Sequence, residues 1–199
     1  MVRKRVPEQH EGKRLQILAA AHRCFLQHGL QGASIAMICK EAAMSPGHLY
    51  HYFPSKDAII EQMANDYLAN LHAHFSGHSE NEGIATVLLS ELWSMKGWGE
   101  LTHCRILFEL LAEAGRNEKI RAILKQNTDG IRELLAETLR TGQSRGEVDP
   151  DLDPKHTSAV LVAVLDAAPM LPLMASDIGF EESRRLITTM VSRFLQTPQ

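Results

Sequence analysis

The residues best suited to chemistry lie between Ser34 and Lys56, where hydroxyl, imidazole, phenol and ammonium groups follow one another closely. Such groups bind phosphate oxygens and hydrogen-bond the edges of nucleic-acid bases. The chain shows no nucleophile, base and acid in a recognisable order, no glycine-rich phosphate loop and no HExxH zinc motif. The pattern therefore favours binding over catalysis, and we expect no enzyme and no cofactor.

A short helix is predicted to display several of these groups. Ser45 followed by Pro46 is typical of a helix N-cap and first helical position. At 100° per residue, Leu49 and Phe53 lie within about 40° of each other, so they are predicted to point inward. The opposite face then carries the groups available for recognition, which are Gly47, His48 and His51, with Tyr50 and Tyr52 at its flanks.

A second short helix precedes this one and completes a motif. Ser34 can cap a helix over residues 34–43, and Met44 and Ser45 then form a tight corner. Two short helices joined in this way form a helix-turn-helix, whose second helix enters the DNA major groove. We expect Gly47, His48 and His51 to read bases and Ser34, Tyr50, Tyr52 and Lys56 to hold the DNA backbone. The free N–H groups at the start of the helix would bind a phosphate. The predicted DNA-binding set is Ser34, Ser45, Pro46, Gly47, His48, Tyr50, His51, Tyr52 and Lys56.

The charge distribution agrees with an anionic partner for the first quarter of the chain. Residues 1–56 hold 8 Lys and Arg against 3 Asp and Glu, a net +5, whereas residues 57–199 hold 13 against 21, a net −8. Chance clustering of basic residues near a terminus is the alternative explanation.

His48 and His51 also have a spacing that a metal site uses, but no third ligand is evident, so no metal is expected.

A family resemblance rests on these same residues. The segment SIAMICKEAAMSPGHLYHYFPSKDAII resembles the signature of the TetR family of bacterial transcriptional repressors. The matching positions are Ser34, Ile35, Ile38, Ala42, Ser45, Gly47, Leu49, Tyr50, Tyr52, Phe53, Ser55 and Lys56. The chain departs from the pattern at Ala43 and Met44, where the family commonly has Gly-Val. The resemblance implies a dimeric repressor that leaves a palindromic operator when a small molecule binds.

The rest of the chain is also predicted to be helical. Apolar residues recur at helical spacing from residue 80 onward, and no stretch alternates as a strand would. We predict an all-α protein of about nine helices, with a helix-turn-helix DNA-binding domain over residues 1–56 and a ligand-binding and dimerisation domain over residues 57–199. No segment is long and apolar enough to span a bilayer, and no signal peptide is visible, so a cytoplasmic protein without membrane contact is expected.

Two C-terminal segments are the candidates for dimerisation. Residues 158–173 are apolar nearly all round, and residues 181–195 carry a strong apolar stripe. In the TetR family the last two helices form a four-helix dimer interface, which the resemblance implies here. The predicted contact residues are Ala159, Ala163, Ala167, Ile187, Met190, Val191 and Phe194.

A small-molecule pocket is expected within residues 80–175, on the strength of the resemblance. Its apolar lining would suit a lipophilic ligand and comprises Trp93, Trp98, Leu107, Phe108, Leu111 and Met170. The two tryptophans could equally fill the core. Asp166 stands in an apolar run, where burial would require a partner or a proton. It either pairs with His103, Arg105 or a group across the dimer, or it orients a cationic or hydrogen-bonding ligand.

The sequence is compatible with three classes of protein to different degrees. A DNA-binding repressor predicts salt-dependent affinity for paired half-sites, whereas a helical partner-binding module without DNA affinity predicts neither. A helical enzyme would need convergent polar groups that the chain does not show. The net positive charge of residues 1–56 and the polar face of the second short helix favour the repressor.

Overall fold

The computed structural model describes residues 5–76, 82–94, 101–175 and 177–196, and every regular element within these ranges is helical. If α8, the 3-10 turn and α9 are taken as one interrupted helix, these ranges contain nine helices, so the predicted fold class is confirmed. Helical spacing predicts a helix over residues 84–98, and the part of it beyond Ser94 lies outside the described residues. The elements are α1 Arg5–Gly32, α2 Ile35–Glu41, α3 Pro46–Tyr52, α4 Lys56–Ser76, α5 Ile84–Ser94, α6 Leu101–Ala114, α7 Glu118–Ser144, α8 Pro154–Ala167, a 3-10 turn Ala168–Met170, α9 Leu171–Met174 and α10 Phe180–Leu195.

Hydroxyl and carboxylate caps set the starts of several helices. The Oγ atoms of Ser34, Ser45 and Ser55 accept hydrogen bonds from backbone N–H groups three residues ahead, at 3.2, 3.3 and 3.1 Å. Asp153 does the same for α8 at 2.8 Å. These bonds satisfy N–H groups that have no partner inside the helix. The caps predicted at Ser34 and Ser45 are therefore confirmed, and Ser55, whose type is also typical of a helix N-cap, caps α4 in the same way.

The chain divides into two compact units. Unit 1 comprises Met1–Asp66 and Arg105–Leu124, and unit 2 comprises Tyr67–Cys104 and Lys125–Gln199. Unit 1 thus holds the helix-turn-helix together with α6 from Arg105 onward and the start of α7, and it extends beyond residue 56. The domain boundary at residue 56 is a functional assignment and stays a prediction.

The core of unit 1 holds the helix-turn-helix in place. Leu49 and Phe53 pack with Ile17 and Phe25 of α1 and Ile38 of α2. The residues of α1 that face this core are Ile17, Leu18, Ala20, Ala21, Cys24 and Phe25. Helical spacing from Leu18 and Phe25 predicts an inward position for Leu15 and Ala19 as well, and this is wrong, because both lie exposed. Contacts with α2 and α3 select a face of α1 slightly rotated from the one that spacing indicated.

The loop after α7 joins three helix ends in unit 2. A Glu147 carboxylate oxygen accepts the backbone N–H of Ile84 at the start of α5, at 2.8 Å. The Asp149 N–H donates to the carbonyl of Leu195 at the end of α10, also at 2.8 Å. Gly142 lies so close to Ile84 and Val148 that a Cβ there would approach their side chains to 2.7 and 2.6 Å. The loop is therefore a packed structural element of unit 2.

None of the helices in the described ranges has the length and apolar character needed to cross a membrane.

Candidate nucleic-acid interface

Helix α3 is fixed by its buried side and presents its polar side. Leu49 is 0% exposed and Phe53 is 3% exposed, whereas Gly47, His48 and His51 are exposed. This orientation agrees with the predicted one. A surface made of imidazoles and a small glycine can approach base edges closely and donate or accept hydrogen bonds there.

Gly47 is not required by packing within the described chain. A Cβ atom built on Gly47 would meet nothing within 4 Å, and this glycine has no positive φ. The open space in front of its backbone is therefore available to an external partner. Pro46 and Ser45 precede it as exposed residues at the start of the helix.

The flanking tyrosines differ from each other in exposure. Tyr50 is half exposed, so its phenol is accessible to solvent and to a DNA backbone. Tyr52 is partly buried and packs against the core of unit 1. Its ring also contacts the imidazoles of His48 and His51, with centroid distances of 5.4 and 5.5 Å. Tyr52 therefore supports the exposed histidines.

The corner between α2 and α3 contains a backbone conformation that glycine adopts more readily. Ala43 has a φ of 49° and is the non-glycine residue with positive φ in the described chain. Its N–H donates to the carbonyl of Lys40, and the N–H of Met44 donates to the carbonyl of Cys39. The left-handed conformation brings Cβ close to the backbone and costs about 1–2 kcal/mol. The fold keeps the turn despite this cost.

Lys56 has partners that the sequence did not indicate. Its Nζ donates to the carbonyl of Leu30 at 2.8 Å and to that of Ala33 at 3.2 Å. An ammonium group has three N–H donors, so one remains for a phosphate. Lys56 thus connects the start of α4 to the turn between α1 and α2. Its predicted contact with the DNA backbone stays a prediction and depends on that third donor.

The same turn is held by α6. Gly29, with φ of 72°, interrupts the end of α1, and the following Leu30 N–H donates to the carboxylate of Glu109. The amide of Gln31 donates to the carboxylate of Glu113, one helical turn further along α6. Ser34, which caps α2, follows directly. Two carboxylates of α6 therefore hold the turn that leads into the helix-turn-helix.

The residues predicted to line a ligand pocket fall in both units. Leu107, Phe108 and Leu111 lie on α6, where Phe108 and Leu111 are exposed. Met170 is partly buried in the 3-10 turn after α8. Trp93 lies on α5, but its side chain, like Trp98 altogether, lies outside the described residues.

Asp166 is not buried within the chain, which corrects the expectation from the sequence. The residue is exposed on α8, and none of the described side chains forms a hydrogen bond or an ion pair with it. Neighbouring atoms of the protein nevertheless partly desolvate its carboxyl group, and this raises its pKa. The side chains of His103 and Arg105, which the sequence offers as partners for Asp166, lie outside the described residues.

Within the described residues, no three His, Cys, Asp or Glu side chains are grouped in a way that could hold a metal ion.

The residues predicted for dimerisation separate into two sets. Ala163, Ala167, Met190 and Phe194 are exposed and Ala159 is partly buried. Ile187 and Val191 are 7% and 2% exposed and pack inside the core of unit 2, and their contact with a partner chain stays a prediction.

An exposed apolar surface remains on these two helices. On α10, Leu186, Met190 and Phe194 recur every four residues and are 39%, 48% and 40% exposed. On α8, Val160 is 49% exposed and lies one turn before Ala163. The buried and exposed apolar residues of α10 therefore occupy adjacent faces of one helix. We call Val160, Ala163, Ala167, Leu186, Met190 and Phe194 the C-terminal apolar face.

Comparison with known proteins assigns the chain to a family. The model for bacterial regulatory proteins of the tetR family matches residues 17–63, and the model for the C-terminal part of BetI-type transcriptional repressors matches residues 99–196. The HTH-type transcriptional regulator UidR of Escherichia coli strain K12 is 31% identical over 172 residues, which cover 85% of this chain and 86% of UidR. The HTH-type transcriptional regulator TtgR of Pseudomonas putida is 28% identical over 164 residues, which cover 76% of this chain and 77% of TtgR.

A solved structure agrees over the full length. GusR of Salmonella enterica superposes with a TM-score of 0.78 at 26% sequence identity, and the match covers 98% of each chain. The expected resemblance is confirmed, because the signature segment, the C-terminal part and the fold all match members of one family. The chain belongs to the TetR family of bacterial transcriptional regulators, which bind DNA and typically act as repressors.

Proposed function

We propose that the protein is a dimeric repressor that binds a palindromic operator through α3 and leaves it when a small lipophilic molecule binds. The observation that carries this proposal is the orientation of α3, whose buried Leu49 and Phe53 turn Gly47, His48 and His51 to the outside. A helix held in this way can enter the major groove. The proposal assigns DNA binding to residues 1–56 and ligand binding and dimerisation to residues 57–199, in the cytoplasm.

Sequence readout would depend on histidines and DNA shape. The segment PGHLYHY that forms α3 contains no Arg or Lys, so bidentate reading of guanine by a cationic side chain is absent from this helix. His48 and His51 would contact base edges, and Ser34 and Tyr50 would contact the backbone. Tyr52 would act mainly by supporting the histidines, since its ring packs against theirs.

Dimerisation would bury the C-terminal apolar face. One short helix covers only a few base pairs, so a two-fold dimer on paired half-sites is needed for specific binding. Helices α8 and α10 contribute to one core, and the apolar residues they leave exposed are typical of an interaction surface. The small Ala163 and Ala167 would allow two copies of α8 to approach closely.

The ligand response would pass through α6. Leu107 and Leu111 lie about 40° apart on this helix, while Glu109 and Glu113 lie about 40° apart on a different side. A lipophilic ligand on the apolar side would displace the carboxylates that hold Leu30 and Gln31. The ligand shifts the population only by its preference for the state that does not bind DNA. The other predicted pocket residues, Trp93, Trp98, Phe108, Asp166 and Met170, stay a prediction.

A gel shift with the DNA upstream of the protein's own gene tests the proposal. We expect a retarded band whose affinity falls steeply with salt, because Lys and Arg side chains neutralise phosphates and release their counterions. Footprinting of the same DNA should protect two half-sites about one helical turn apart. A folded protein that shows no salt-dependent affinity would instead be a partner-binding module, and this result would reject the repressor function.

A further inference from the structure

A histidine outside the helix-turn-helix contacts the recognition helix. His10 of α1 is exposed, and its ring lies 4.6 Å from that of Tyr52, at an interplanar angle of 42°. The same imidazole lies 6.3 Å from the ring of His51 in an edge-on arrangement. His10 therefore belongs to the surface that α3 presents, although it is about 40 residues away in the sequence.

Three imidazoles surround one phenol on this surface. Tyr52 lies in ring contact with His10, His48 and His51, at 4.6, 5.4 and 5.5 Å. Tyr52 is partly buried, whereas the three histidines are exposed. The arrangement fixes Tyr52 between α1 and α3 and leaves the imidazole nitrogens accessible. We call these four residues the imidazole cluster.

The cluster does not have the properties of a metal site. No grouping of three metal-ligating side chains is present in the described part of the chain, which includes all three histidines. A different role for three imidazoles on a surface that meets DNA is to supply charge. An imidazole takes up a proton and becomes a cation between about pH 5 and pH 8.

The other charged side chains near the imidazole cluster would not mask a positive charge gained by one of its imidazoles. On α1, Arg14 lies 5.9 Å over the ring of Phe53 and forms an ion pair with Glu11 at 3.4 Å. Lys13, also on α1, donates to Gln16. On α3 itself, the charged or titratable groups are His48, Tyr50, His51 and Tyr52. Helix α3 itself therefore brings no lysine, arginine, aspartate or glutamate to the DNA.

We propose that His10 is a residue of the operator-binding surface, which binds a DNA phosphate as an imidazolium beside α3 and makes operator affinity rise as the pH falls. The inference depends on the proposed DNA binding by α3. Uptake of a proton adds positive charge to the protein surface, and the DNA phosphate stabilises that charge. By linkage, DNA then binds more tightly to the protonated protein, so lower pH favours the complex.

Operator affinity of the full-length protein, measured by fluorescence anisotropy at about pH 6 and about pH 8 over a salt series, tests this inference. Three variants separate charge from shape. His10→Phe keeps an aromatic ring against Tyr52, His10→Gln keeps a hydrogen-bonding group, and His10→Lys provides a permanent cation. His28→Phe is the control, because His28 is an exposed histidine about 27 Å further along α1.

At about pH 6, His10→Phe and His10→Gln should each bind roughly tenfold more weakly than the wild type and show a salt slope lower by about one. At about pH 8 they should bind within about twofold of the wild type, because imidazoles in general carry little positive charge at that pH. At about pH 8, His10→Lys should bind more tightly than the wild type does at the same pH, because the lysine stays cationic. His28→Phe should follow the wild type throughout.

Identical affinities and salt slopes for the wild type and His10→Phe at both pH values would overturn the role of His10. An equal loss at both pH values would also overturn it, since the ring would then act only in packing. These outcomes differ from a failure of the proposed function, in which the wild type itself would not bind the operator. Sedimentation and circular dichroism of each variant verify that the fold is retained.

Discussion

Ala43 carries a conformational cost that a single substitution can remove. The residue has a φ of 49° at the corner between α2 and α3. Ala43→Gly removes the contact between Cβ and the backbone, so we expect the free energy of unfolding to rise by about 1 kcal/mol. Urea denaturation measures this change. Ala42→Gly is the matched control and should lower stability, because Ala42 is buried and has a helical φ of −81°.

Asp166 gives a second prediction, because desolvation raises its pKa in the folded chain. A raised folded pKa means that the folded state binds the proton more tightly, so ionisation of Asp166 lowers stability as the pH rises above its ordinary value of 3.8. Asp166→Asn should therefore raise the melting temperature near neutral pH and have little effect below about pH 3.

The same variant separates the two roles of Asp166. If the carboxylate orients the ligand, Asp166→Asn keeps the dimer and operator binding but responds more weakly to ligand. Unchanged ligand affinity, or loss of the dimer, assigns Asp166 to a structural role. Thermal melts at two pH values, operator affinity and ligand affinity provide the three measurements.

At the scale of elements, α6 and the turn after α1 form a connection whose strength can be measured without a ligand. The carboxylate of Glu109 accepts the N–H of Leu30, and a bond to a charged acceptor contributes about 1.5–3 kcal/mol. Glu109→Ala should therefore increase the amide exchange rate of Leu30 by about tenfold or more.

Glu113→Ala is the matched control for this prediction. Glu113 lies on the same side of α6 and accepts the side-chain amide of Gln31, not the N–H of Leu30. Its replacement should leave exchange at Leu30 nearly unchanged. Equal effects of the two variants would mean that general loosening of α6, and not the specific hydrogen bond, protects this turn.

The elements also indicate how far sequence reasoning extends. Caps and turn residues are local, so the starts of α2, α3 and α4 could be predicted from Ser34, Ser45 and Ser55. The inward positions of Leu49 and Phe53 followed from helical period alone. The partners of Lys56 could not be predicted, because two backbone carbonyls more than twenty residues away bind its ammonium group.

The division of α10 into a buried and an exposed apolar side could not be predicted for a similar reason. Apolar residues at positions 186, 187, 190, 191, 194 and 195 cover about half of the helix circumference. The sequence indicates that this half is buried in some contact. It does not indicate which part packs in its own chain and which part meets a partner. His10 was missed because no local signal links it to α3.

At the scale of the whole molecule, the C-terminal apolar face predicts the oligomeric state. Met190→Glu combined with Phe194→Glu places two charges on exposed positions, so we expect a folded monomer with greatly weakened operator binding. Sedimentation velocity at micromolar concentration measures the change. Val191→Glu is the contrasting variant and should unfold unit 2, because Val191 is 2% exposed in its core. A wild-type protein that sediments as a monomer would contradict the assignment.

The empty space around Gly47 has a consequence for how this regulator can change over time. A side chain at this position meets nothing within 4 Å in the described chain, and replacing glycine inside a helix adds up to about 1 kcal/mol of helix propensity. Substitutions at Gly47 therefore do not lower the free energy of unfolding, whose small value limits most mutations. The position can vary under selection for a new operator sequence, while buried Leu49 and Phe53 preserve the placement of the helix. Operator preference can thus evolve separately from the fold that presents it.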